Sequence, residues 1–95
     1  MNLQEITDKH YAWVTAMGWS NVKTPLECIA LIASEVGEAA NECRGVAPTE
    51  KLKYELADII LRTLGLAHEQ GIDMEKAIEE KLFINEARGS AGRLK

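Results

Sequence analysis

From 50 to 70 the chain carries large aliphatic side chains around most of a helical circumference: Leu52, Leu56, Ile59, Ile60, Leu61, Leu64, Leu66 and Ala67. A helix that is apolar nearly all round is stable only when neighbours cover it from several sides. In a chain of 95 residues, enough for a single domain, those neighbours must be other helices of the same chain or of a second copy. What remains for solvent or for chemistry is one narrow stripe, Lys51, Glu55, Asp58, Arg62 and Glu69.

The rest of the sequence supplies candidate neighbours. Asn2 with Glu5 three positions later signals a capped start, and Leu3, Ile6, His10, Trp13, Val14 and Met17 keep the spacing of one amphipathic face. A first helix is therefore expected over 3–17, ended by Gly18. Thr24, Pro25 and Glu27 mark the start of a second helix over 25–44, with Gly45 as its stop. Ile29, Ile32, Ala33, Val36, Ala39, Ala40 and Cys43 share one side of it, and Glu27, Glu35, Glu38 and Glu42 share the adjoining arc. The small residues Ala33, Gly37, Ala39 and Ala40 would admit another helix closely. Thr49 is expected to cap the third helix over 50–70, closed by Gly71, and Asp73 to cap a fourth over 74–88. The fourth has Met74, Ala77, Ile78 and Leu82 on its apolar face and Lys81, Asn85 and Arg88 on another. Residues 89–95 have the composition of a flexible tail. No strand alternation and no repeat appear, so the expected fold is all-α: a single domain over 1–95, a four-helix antiparallel bundle-like subunit that assembles into an oligomer.

Two carboxylate pairs stand on successive helices, Glu35 with Glu38 and Glu55 with Asp58. An i, i+3 pair projects from one helix face, and the two pairs lie at similar distances from the bend at 45–49. Folding back at that bend brings them to matching heights. For the second helix alone, a solvated acidic face explains the pattern equally well. The third helix shifts the balance, because Glu55 and Asp58 are flanked on both sides by large aliphatics. Ionised carboxylates crowded away from water need a cationic partner, a raised pKa or a metal. Arg62 and Lys51, each four residues from a stripe carboxylate, can neutralise part of the charge. Four converging carboxylates would suit a hard divalent cation with oxygen ligands, Mg2+ or else Mn2+, rather than Zn2+.

Eleven Lys and Arg against fifteen Asp and Glu leave a formal charge of −4, which argues against nucleic-acid binding through a basic surface. No stretch approaches the apolar length of a membrane span and the N-terminus lacks a signal-peptide pattern, so a cytoplasmic protein without membrane association is expected. Cys28 and Cys43 have no metal or redox spacing and are expected as small buried hydrophobes.

At EVGEAANE and ELADIILR the sequence resembles the MazG-like nucleoside triphosphate pyrophosphohydrolases of the all-α NTP pyrophosphatase superfamily, whose mark is E-x-x-E on one helix and E-x-x-D on the next. KLFINEAR is similar to the basic and amide pattern that follows in that family, and the resemblance spans about 25–88. It implies hydrolysis between the α- and β-phosphates of a (deoxy)nucleoside triphosphate, giving the monophosphate and pyrophosphate, in nucleotide-pool cleansing. Glu35, Glu38, Glu55 and Asp58 would coordinate Mg2+ and carry catalysis. Lys81 and Asn85 would contact phosphate or sugar, with Arg88 a weaker match. Homodimers or homotetramers, with the site between helices of neighbouring subunits, are also implied.

The aromatic residues admit two uses. Trp13 fits a packing role on the apolar face of the first helix, and with His10 one turn before it also fits contact with substrate. Trp19, in a loop that can fold over a cleft, fits stacking on a base. His68 fits a helix terminus better than a ligand. Two other readings of the whole chain remain: a phosphoribosyl-ATP pyrophosphohydrolase, which carries similar paired carboxylates, and a non-catalytic helical assembly or binding module whose acidic stripe is solvated.

Overall fold

A computed structural model of the chain describes residues 1–19 and 23–89. Within them lie four α-helices and no strand: α1 (Leu3–Ala16), α2 (Pro25–Asn41), α3 (Leu52–Glu69) and α4 (Met74–Arg88). The all-α expectation holds. The frayed-tail expectation falls, apart from Gly89, outside the described residues.

Local chemistry sets the helix ends. Asn2 and Glu5 form a reciprocal capping box at α1, and Thr24 and Glu27 another at α2. The Asp73 carboxylate accepts from the Lys76 amide at 3.0 Å and opens α4. α1 and α3 both end in Schellman turns around a left-handed glycine, Gly18 at φ 76° and Gly71 at φ 68°. At the first, the Trp19 amide donates to the Val14 carbonyl at 3.0 Å and the Gly18 amide to Thr15 at 2.9 Å. That turn fixes where Trp19 begins.

Two boundaries differ from expectation at the α2–α3 bend. α2 stops at Asn41, before Gly45, because the amides of Glu42 and Cys43 turn back on the carbonyls of Ala39 and Ala40 in tight i→i−3 bonds. α3 opens only at Leu52, and Thr49 does not cap it. The Thr49 hydroxyl donates instead to the Glu42 carboxylate and its amide donates to the Glu42 carbonyl at 2.9 Å, which staples the bend shut.

α2 and α3 make the largest interhelical contact, α1 lies across α3, and α4 rests on α1. The interior is small. Ala39, Leu64 and Ala67 are its buried apolar residues, with Thr7 buried beside them and hydrogen-bonded to the Leu3 carbonyl at 2.7 Å. His10 lies over Gly65, its ring 3.8 Å from where a β-carbon would stand. Gly37, expected to admit a close helix, faces open space instead.

Much of the apolar surface read as core is exposed in the single chain. Leu26, Ile29, Ala33, Val36 and Ala40 form a heptad-like stripe along the outside of α2, with Val36 50% exposed. Leu56 and Ile60 are exposed on α3, and Leu82 and Phe83 are open on α4. Cys43 is exposed past the end of α2 and Cys28 only half-buried, so neither is the buried hydrophobe expected of it. The chain has 7108 Å² of accessible surface. A compact monomer of 10.5 kDa would show about 5,400 Å². Its radius of gyration, 15.4 Å, also exceeds the roughly 12 Å of a compact domain this long.

Candidate active site

The α2–α3 hairpin brings together three of the four carboxylates. One oxygen each from Glu35, Glu55 and Asp58 lies within 4.8 Å of the others, with Glu35 and Glu55 half-buried and Asp58 exposed. Glu38 is exposed and outside that convergent set, yet its charge acts on Glu55. The Glu55 carboxyl is pushed above its usual range, first by desolvation and then by the charges of Glu38, Asp58, Glu35 and Glu42.

Arg62 answers part of this charge, though not through its own helix. Its Nε donates to Glu35 Oε2 at 2.7 Å across the α2–α3 contact rather than to Asp58 one turn away. Charged hydrogen bonds of this length hold a carboxylate in one orientation. One guanidinium against four or five acidic groups leaves the cluster strongly negative. The donor set is all oxygen, which fits a hard divalent cation, and Glu35, Glu55 and Asp58 are the residues that would hold it.

Two of the three, Glu35 and Asp58, line a cleft of about 460 Å³ between α1, α2 and α3. Arg62 lines it beside them, and so do Trp13, Trp19 and Lys23. Trp13 is 52% exposed, not packed into the bundle, and meets Trp19 edge to face with ring centroids 5.0 Å apart. His10 stands 6.4 Å from Trp13 and lines the same cleft. Burial holds the His10 pKa below its usual value, and Arg62 lowers it further against a smaller opposite pull from Asp58. At neutral pH His10 is therefore a neutral imidazole able to donate and accept.

Lys81, Asn85 and Arg88 do not line this cleft. Their helix, α4, rests on α1, with Lys81 and Arg88 exposed and Asn85 half-buried. Conversely, sequence reasoning singled out neither Tyr11 nor Glu69 as site residues. The Tyr11 hydroxyl donates to Glu69 Oε2 at 2.9 Å, both line the cleft, and the Tyr11 ring packs on His68 at 4.2 Å. A signal for Glu69 was present, since Asp58, Arg62, Gly65 and Glu69 recur at i, i+4, i+7 and i+11 along the one polar stripe of α3.

These helices define an all-α protein whose α2–α3 hairpin carries a candidate divalent-cation site beside an aromatic-rimmed cleft. The family model of the MazG nucleotide pyrophosphohydrolase domain matches residues 23–83, well over half of the chain, and the chain belongs to that family. No curated protein and no solved structure matches it. The matched region contains all four carboxylates, Arg62, Glu69 and Lys81; α1, with Tyr11 and Trp13, lies outside it. No helix among the described residues is long and apolar enough to cross a membrane.

Proposed function

We propose that this protein hydrolyses (deoxy)nucleoside triphosphates to the monophosphate and pyrophosphate with Mg2+, Mn2+ being able to replace it, and cleanses the cytoplasmic nucleotide pool. One observation carries the reading: three carboxylates converge, and two of them line a cleft that a pair of tryptophans also lines. A triphosphate needs charge neutralisation for its phosphates and a flat apolar partner for its base. Bound there, the divalent cation supplies neutralisation of the phosphate charge and alignment of its oxygens.

The chain's own groups do the rest. Glu35, Glu55 and Asp58 would hold that cation, and Arg62 steadies Glu35. In this reading Glu38, the exposed carboxylate outside the convergent set, would take the proton from a water attacking the α-phosphorus in line. The bond from that phosphorus to the bridging oxygen breaks, and pyrophosphate leaves. His10, Trp13 and Trp19 hold the nucleoside, and the aromatic faces exclude water from it.

We also assign the exposed stripe on α2 to a second copy of the chain, with the homodimer as the unit from which a tetramer would be built. The surface in excess of a compact monomer is about twice the roughly 800 Å² that each partner buries in an ordinary stable interface. Assembly also gives Lys81, Asn85 and Arg88 a route to phosphate, as donors to the neighbouring copy's site.

The test is product analysis with Mg2+ and a panel of canonical and modified triphosphates, with EDTA as control. Metal-dependent release of pyrophosphate and monophosphate is expected. Release of orthophosphate, or turnover indifferent to EDTA, would refute the reading; activity on phosphoribosyl-ATP alone would reassign the substrate.

Charge crowding at Glu55 gives a stability prediction. A carboxyl whose folded pKa is raised destabilises the fold above that pKa and ceases to do so once protonated. Glu55→Gln should therefore raise the melting temperature at pH 7, with the gain vanishing as pH falls below the ordinary glutamate value of 4.5. Mg2+ should raise the melting temperature of the parent protein more than that of the variant. Calorimetry across pH, with and without Mg2+, reads both effects.

A further inference from the structure

We propose that Arg62 is the phosphate-binding cation of the cleft: its Nε ties down Glu35, and its Nη groups take oxygens of the polyphosphate that binds beside that carboxylate. This rests on the pyrophosphohydrolase reading of the site and gives a second task to the residue that steadies Glu35.

The charge balance of the cleft calls for such a group. A triphosphate is a polyanion, and one divalent cation among Glu35, Glu55 and Asp58 leaves carboxylates, ion and substrate together net negative. Among the described residues that line the cleft, Lys23 and Arg62 are the cationic ones, because burial and the charge of Arg62 keep His10 neutral. Lys81 and Arg88, the cations expected from the sequence, stand on α4 and do not line it.

Position and geometry single out Arg62. It follows Asp58 by one turn on α3 and bonds Glu35 on α2, so its guanidinium is fixed beside the converging carboxylates. A phosphate that shares a cation with Glu35 must come to rest next to that carboxylate, within reach of a guanidinium already bonded to it. The bond to Glu35 uses Nε, at 2.7 Å, and the Nη groups have no hydrogen-bond partner among the described residues. A guanidinium carries its N–H donors in a planar fork that matches phosphate, and most of this fork is still open. The Arg62 side chain is 42% exposed, so an arriving phosphate displaces only water from it. An ion pair this open to solvent adds little to stability, which leaves binding rather than bracing as its use.

Inorganic pyrophosphate tests the assignment without a base or a reaction. Its affinity is read by isothermal titration at saturating Mg2+, and Mg2+ affinity is read separately, for the parent, Arg62→Gln and Arg62→Lys. Arg62→Gln should bind pyrophosphate roughly tenfold or more weakly than the parent, the worth of one charge-assisted hydrogen bond. Its Mg2+ affinity should hold or rise, because a competing positive charge has left the carboxylates. Arg62→Lys should fall between the two, since a point charge without the fork cannot serve Glu35 and phosphate together. All three proteins should melt at nearly the same temperature. Pyrophosphate affinity unchanged in Arg62→Gln, or weakened only in step with Mg2+ affinity, would overturn the assignment and leave Arg62 a positioning residue for Glu35. A parent that binds no pyrophosphate would overturn it too. If the parent binds pyrophosphate through Arg62 yet hydrolyses no triphosphate, the pyrophosphohydrolase reading fails alone and the phosphate site stands.

Discussion

Asp58→Asn should abolish Mg2+-dependent triphosphate hydrolysis while leaving the helices in place. The side chain lies at the solvent edge of the convergent carboxylates and its exchange for an isosteric amide removes a charge without removing volume. Loss of a metal ligand forfeits several kcal/mol of transition-state neutralisation, a fall in kcat/KM of roughly a hundred- to ten-thousand-fold. Because the acidic groups repel one another, the variant should melt no lower than the parent, so inactivity would not be a folding defect. Parallel circular dichroism and isothermal titration with Mg2+ separate the cases. Hydrolysis at the parental rate, or unchanged Mg2+ affinity, would show that the acidic cluster is only a solvated face.

Val36→Arg should convert the protein to a species of the single-chain mass, 10.5 kDa, in sedimentation equilibrium. Val36 lies midway along the exposed α2 stripe, where a facing copy would bring an identical arginine close to its own. Burying like charges opposite one another costs several kcal/mol, enough to dissociate an ordinary interface. Since Val36 is half-exposed within the chain, its replacement should leave the fold intact. Hydrolysis should fall with assembly if α4 of one copy serves the site of the other. An oligomer of unchanged mass would place the interface elsewhere, with Leu82 and Phe83 on α4 the next surface to test.

Features with local causes were legible in the sequence. The capping residues of α1, α2 and α4 act through neighbours three positions away, and the structure finds them as read. The convergence of Glu35 with Glu55 and Asp58 followed from two helices of similar length about one bend. The errors lie where tertiary contacts override local signals. Thr49 looks like a cap, but Glu42 engages it across the bend. Arg62 is one turn from Asp58, but it bonds Glu35 on the neighbouring helix. Trp13 sits on an apolar stripe, but α1 crosses α3 so that the indole stands at the cleft. Leu56, Ile60 and Val36 belong to faces expected to be covered by this chain or by a second copy, and in one chain they are surface. A hydrophobic pattern states that a face will be covered; it does not say by which molecule.

The cleft hangs on α3 at both ends, and this has a consequence for how the protein can vary. Each residue of a helix advances the chain by about 100° of rotation, so inserting or deleting one residue between Asp58 and Glu69 would swing Glu69 off the cleft while leaving Asp58 in place. Relatives that keep this site can exchange the exposed side chains along that stretch and yet must preserve its length. Loops elsewhere can grow or shrink; these eleven helical steps form a fixed gauge.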